Sequence, residues 1–104
     1  MEKKSAIIIG ASGLIGGFLT KALLKNTEYS KIKLLVRKKL PIDHPKLSQV
    51  IFDFENPDTK EIVCDDLFCT LGTTLKKAGS KEAQYHIDYE IPFKIGEIAK
   101  ENKV

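Results

Sequence analysis

Residues 10–16 read Gly-Ala-Ser-Gly-Leu-Ile-Gly, three glycines at GxxGxxG spacing set between an apolar run and the start of a helical period. The run before them, Ser5 to Ile9, is β-branched and continuous, as in a strand buried on both faces. After them Leu14, Phe18, Leu19, Ala22 and Leu23 fall on one helical stripe, with Lys21 and Lys25 turned away. Glycine costs a helix start stability, so three at this spacing call for a return. A strand–turn–helix junction that must accept a pyrophosphate supplies one. There Gly10 turns the chain off the strand, Gly13 lets a phosphate approach the backbone, and Gly16 lets the helix pack close to the sheet. The amides of Leu14 and Ile15 at the helix start then face the anion with the helix dipole behind them; the alternative is a glycine-rich turn with no ligand.

The remainder of the 104 residues alternates strands with helical pieces. Second and third strands are predicted over Ile32–Val36 and Gln49–Phe52, and a fourth over Leu67–Leu71. A short helical piece is predicted near Asn56–Val63, and a last helix follows Asp88 as its N-cap, with Ile91, Ile95, Ile98 and Ala99 on one face and Pro92 in its first turn. Such alternation predicts an α/β fold, a Rossmann-type doubly wound parallel sheet truncated after about four strands, as one domain over residues 1–104.

Composition excludes several classes. Hydrophobic residues at 42% and charged residues at 30% describe an ordinary globular domain, and no apolar run is long enough to span a membrane. The net charge of +3 comes from scattered lysines without interleaved aromatics, which argues against a nucleic-acid surface. Cys64 and Cys69 form neither a disulfide framework nor a zinc site, and His44 and His86 have no spaced ligand partners, so no metal is expected. Reduced cysteines suggest a cytoplasmic location.

Which dinucleotide the chain prefers is read at the end of the second strand. An acid there holds a ribose 2′-hydroxyl, whereas this chain has Val36-Arg37-Lys38-Lys39 and no acid before Asp43. Arg37 can grip a 2′-phosphate with a charge-assisted fork and Lys38 can add charge, which favours NADP over NAD; the alternative is a solvated basic turn. After the third strand, Asp53 either accepts from an adenine amino group or serves as a plain turn residue, and Phe54 would line that pocket. Leu71, Gly72 and Thr73 leave the fourth strand where a doubly wound sheet borders its crevice, with Gly72 allowing close approach to a ribose and Thr73 offering a hydroxyl; the alternative is an ordinary strand-to-loop turn. Tyr85 and Tyr89 are read as packing residues, and Cys69 as a small apolar residue of a buried strand.

The segments IIIGASGLIG, KIKLLVRKKL, FDFE and FCTLGTTLKKAGSKEA with HIDYEIPFKIGEIAK resemble the atypical short-chain dehydrogenase/reductases, and within them the Tat-interacting-protein-like branch of NAD(P)-binding oxidoreductases. The resemblance runs from about Ala6 to Lys100. It implies that Ser12, Gly13, Leu14 and Ile15 meet the pyrophosphate, that Arg37 and Lys38 take the 2′-phosphate, and that Leu71 and Gly72 line the nicotinamide-side ribose. It further implies that the Tyr-x-x-x-Lys pair that moves the proton lies beyond Val104, so that no residue of this chain is expected to be catalytic and the chain alone is expected to be inactive. Tyr29 and Lys33 have that spacing but sit in the wrong half of the fold. The expected function is therefore the NADP(H)-binding portion of an oxidoreductase, with a non-catalytic NADP-sensing module as the alternative. An uncovered sheet edge is expected to invite self-association.

Overall fold

Isoleucines 7, 8 and 9 are all but completely buried, and their alternation explains the architecture. In a strand, successive side chains point to opposite faces, so three buried in a row need cover on both sides. A computed structural model, which describes residues 4–71 and 79–104, shows that cover. Strand β1 (Lys4–Ile9) is followed by helix α1 (Leu14–Lys25), β2 (Tyr29–Val36), β3 (Leu47–Ile51), a 3-10 turn (Thr59–Glu61) and β4 (Asp66–Cys69). Helix α2 (Lys81–Tyr85) then runs through one π-helical turn (His86–Glu90) into α3 (Ile91–Glu101).

The four strands are parallel in the order β3-β2-β1-β4. Ile7, Ile9 and Leu35 point to one face, where Phe52, Phe54 and Ile62 join Ile91, Ile95 and Ile98 of α3. Ala6, Ile8, Ile32, Leu34 and Val36 point to the other, under Leu23 of α1. The predicted Rossmann-type α/β sheet is thus the observed one. The chain lays down β1, β2 and β3 in one direction and then returns to the far side of β1 for β4, so the order reverses between β1 and β4. A crevice opens outside the carboxyl ends of the strands at such a reversal.

Several boundaries and faces differ from those read in the sequence. The second strand starts earlier, at Tyr29, because the Tyr29 hydroxyl donates to Asp66 Oδ2 at 2.6 Å and braces β2 to β4 across β1. That bond and burial push the tyrosine pKa up to about 12. Lys33 pairs with Glu61 at 3.1 Å, so Tyr29 and Lys33 each hold a different acidic partner. The third strand ends at Ile51, one residue short of Phe52, and the fourth ends at Cys69, short of Leu71. The predicted helical piece near residue 60 contracts to the 3-10 turn capped by Asp58.

Leu14 and Phe18 do not face the sheet: they are 79% and 68% exposed, and Gly16, Thr20 and Leu23 form the buried stripe of α1. The helix meets the sheet through its smallest residues because its N-terminal end crosses too close for larger ones. Asp88 is not an N-cap. The last helical segment begins at Lys81, where the Ser80 hydroxyl accepts from the Ala83 amide at 3.1 Å, and Asp88 falls within the π-helical turn. Tyr85 and Tyr89 do not pack into the core: both are more than half exposed, stacked on each other at 5.1 Å and continued by Phe93. Cys69 is exposed on β4, which among the described residues pairs with a strand on one side only.

The close crossing is measurable at Gly16, where a Cβ would stand 2.1 Å from the Gly10 carbonyl oxygen and 2.7 Å from Thr70 Oγ1. At Gly17 the nearest atom to such a Cβ is the Ala11 oxygen at 3.8 Å. Gly16→Ala is expected to destabilise the chain by about 2 kcal/mol or more, since backbone has to move. Gly17→Ala should leave stability unchanged or raise it by up to about 1 kcal/mol through helix propensity. Urea unfolding of the two variants checks this, and equal stabilities would refute the close crossing.

Candidate dinucleotide site

The turn after β1 is built by glycine and held from β4. Gly10 adopts φ +88°, a left-handed conformation that an L side chain resists, and its carbonyl accepts from the Gly13 amide at 3.1 Å. Thr70, just past β4, donates its amide to the Ile9 carbonyl at 2.8 Å. Its hydroxyl lies 2.9 Å from that oxygen and 3.1 Å from the Gly10 oxygen. The glycine turn is therefore locked to the strand across the reversal of order.

Gly13 is the N-cap of α1, in extended conformation, and as glycine it provides no side-chain cap. No acidic residue occupies the first turn of α1. The helix start thus presents its leading amides, those of Leu14 and Ile15, without a competing carboxylate. Among the described residues, a Cβ on Gly13 would meet only the Gly10 oxygen, at 3.5 Å, which leaves room in front of it.

A groove of 420 Å³ runs from this turn across the ends of β1 and β2. Gly10, Ala11 and Ser12 form one wall, Leu35 to Leu40 a second, and Phe54, Leu71 and Ile87 the floor and far side. Ser12 is shared with a shallower cleft along α1 that includes Gly13, Leu14, Gly17, Phe18 and Lys21. The fold therefore brings Gly10, Ser12, Arg37, Lys38, Phe54 and Leu71 to one groove, with Gly13 and Leu14 adjoining it. Ile15 and Gly16 line neither: Ile15 is exposed on α1, and Gly16 is buried in the crossing. Gly72 and Thr73 lie outside the described residues.

Arg37, Lys38 and Lys39 are exposed, and among the described residues none of the three has a salt bridge. They make the rim of the groove positive. The Arg37 guanidinium stands over the Phe54 ring, 5.7 Å from its centroid. Phe54 is buried and packs edge-on against Phe52 at 5.0 Å. Asp53, beside it, accepts from the Glu55 and Asn56 amides at 2.9 and 3.3 Å and from the Asn56 side chain at 3.4 Å. Those bonds hold its carboxyl below the usual carboxylate range, led by the one from Glu55.

Lys39, Leu40 and Ile87 are lining residues that sequence reasoning missed. Lys39 extends the basic run of Arg37 and Lys38. For Ile87 there was no signal: it reaches the groove because α2 begins earlier than its apolar period suggests. His86, read as a lone surface histidine, meets Glu55 at 2.8 Å and Glu90 at 3.4 Å. It thereby ties the π-helical turn to the loop that carries Phe54, and the bond from Glu55 raises its pKa.

No protein-family model matches the chain. Protein HTATIP2 from Rattus norvegicus is 36% identical over 106 residues, which cover 96% of this chain and 43% of that protein. The mitochondrial protein FMP52 from Eremothecium gossypii is 29% identical over 99 residues, 93% of this chain and 44% of that protein. This chain is a homologue of HTATIP2 and FMP52. The resemblance to the Tat-interacting-protein-like branch is thereby borne out, and the chain spans less than half the length of these relatives. A crystal structure of uronate dehydrogenase from Agrobacterium tumefaciens, complexed with NAD, shares the fold at a TM-score of 0.75 and 18% identity. It covers 98% of this chain and 38% of that one. The cytoplasmic location expected from the cysteines is overturned: FMP52 relatives from several organisms are named as mitochondrial, and reduced cysteines do not distinguish between reducing compartments. No described helix is long and apolar enough to cross a membrane.

The clasp at His86 has a pH dependence with a definite sign. A folded pKa raised above the unfolded value means that the contribution is complete below the unfolded value, about 6.5, and is lost as pH rises through the folded one. Wild type is expected to melt above His86→Gln at about pH 5.5, with the gap narrowing by about pH 8.5. Thermal melts of both proteins at the two pH values check this, and a gap that widens with pH would contradict it.

Proposed function

We propose that the chain is the NADP(H)-binding portion of a short-chain-dehydrogenase-like oxidoreductase. The observation that carries this reading is convergence: an uncapped helix start and a basic rim that, among the described residues, has no carboxylate partner meet on one groove, beside the reversal of strand order. The relationship to HTATIP2 and the NAD-complexed dehydrogenase of the same fold support a nicotinamide dinucleotide as the occupant.

The residues fit such a ligand. The leading amides of α1, at Leu14 and Ile15, would take the pyrophosphate, which the open face of Gly13 admits and Ser12 borders. Gly10 and Gly16 would not bind but shape the turn. Arg37 and Lys38 would hold the 2′-phosphate, with Lys39 adding charge to the same rim. Phe54, Leu40 and Ile87 would enclose the adenine, and Leu71 would lie toward the second ribose. Asp53 devotes its oxygens to its own turn, so we assign it the holding of Phe54. Gly72 and Thr73 remain candidates by position in the sequence.

When bound, the cofactor would supply hydride chemistry; this chain's residues would bind it, orient it and neutralise its charge. Among the described residues the groove is lined by apolar residues, one glycine, one serine and three cations. A second reading is an NADP-sensing module, which would need only this lining. Substrate-dependent oxidation of bound NADPH by the purified chain would exclude it.

Arg37→Glu is expected to weaken NADPH binding at least tenfold, about 1.4 kcal/mol, with much less effect on NADH. Calorimetric titration with each dinucleotide tests this, and equal losses would show that Arg37 does not read the phosphate. Gly13→Val should keep the fold, since its Cβ has room, yet weaken both dinucleotides by filling the place of the pyrophosphate. A Gly13→Val chain that is folded and binds normally would remove the helix start from the site.

A further inference from the structure

We infer that Phe54 is a positioning residue that sets the preference for the phosphorylated dinucleotide by seating the Arg37 guanidinium. The inference rests on the reading of the groove given above. Arg37 leaves the end of β2 as an exposed side chain, and among the described residues no carboxylate holds it. The ring of Phe54 lies beneath it, its centroid 5.7 Å from the guanidinium carbon. A guanidinium is attracted to the face of an aromatic ring and can lie on it while keeping its fork of donors free.

The seat is itself fixed. Phe54 is 5% exposed and wedged edge-on against Phe52. Its backbone is bracketed by the turn that Asp53 closes on Glu55 and Asn56. Glu55 is clasped by His86 at 2.8 Å, and its carbonyl accepts from Lys94 at 3.5 Å. The ring therefore has little freedom to turn away from the end of β2.

Arginine on its long flexible stem loses side-chain entropy when it grips a ligand, and a guanidinium already seated loses less. That saving reaches only the ligand whose phosphate Arg37 holds. Contact between the Phe54 ring and the adenine is common to both dinucleotides and cancels in the ratio of their affinities. The ratio thus isolates the positioning role from the packing role.

The test is calorimetric titration of NADPH and NADH into the purified chain and into Phe54→Leu, Phe54→Tyr, Arg37→Gln and the Phe54→Leu/Arg37→Gln double variant, with circular dichroism to confirm folding. Phe54→Leu is expected to lower the NADPH-over-NADH preference about two- to fivefold. Phe54→Tyr, which keeps the ring face, should retain the preference. In the Arg37→Gln background Phe54→Leu should change the ratio no further. Should Phe54→Leu fail to fold, Phe54→Met carries the same comparison. A preference that disappears in Arg37→Gln but survives intact in Phe54→Leu would overturn this inference and leave the reading of the groove standing. A ratio that falls equally with and without Arg37 would also overturn it. A wild-type chain that binds both dinucleotides equally, or neither, would overturn the reading of the groove and this inference with it.

Discussion

Gly16 has no side chain, and the carbonyl of Gly10 occupies the place where one would begin. That contact sets how closely α1 crosses the end of β1, and much of the site follows from it. Because the helix comes so near, its buried stripe is glycine, threonine and leucine, and Thr20 satisfies its hydroxyl on the Gly16 carbonyl at 2.7 Å. Because Gly10 turns through positive φ, the chain leaves the sheet sharply enough for α1 to begin only four residues later. Thr70 secures the crossing from β4 with both its amide and its hydroxyl. The junction thus joins β1, α1 and β4 at the reversal of strand order.

The groove beside that junction is assembled from two kinds of part. One is backbone: a helix start with no cap and no acid in its first turn, aimed past Gly13. The other is side-chain charge: three cations at the end of β2, one of them resting on an aromatic ring from the loop after β3. Neither part makes a dinucleotide site alone, since helix starts and basic turns are common on protein surfaces. Their facing positions across one cavity distinguish this molecule, and parallel pairing of β1 with β2 brings them together.

Legibility in the sequence followed the range of the interactions. The glycine spacing, the buried β1 run and the basic turn at Arg37 are local signals, each explained within about ten residues. The helix stripe was misread because Leu14 and Phe18 obey the helical period while the sheet admits only the smaller face of α1. The start of the last helical segment was misread because Pro92 and the Ile91 period mark α3 alone, and the π-helical turn joins α2 to it without a break in the chain's direction of coiling. Ile87 enters the groove and His86 meets Glu55 only because of that earlier start.

The sequence by itself determined the α/β class, the strand–turn–helix junction and the charge at the end of β2, since each depends on residue type and spacing along a short stretch. Only the tertiary structure decided which faces are buried, that Tyr29 braces the sheet through Asp66, and that the Phe54 ring lies beneath Arg37. Those outcomes join residues from 17 to 37 positions apart, and no local pattern specifies which partners the pairing of strands will bring within reach.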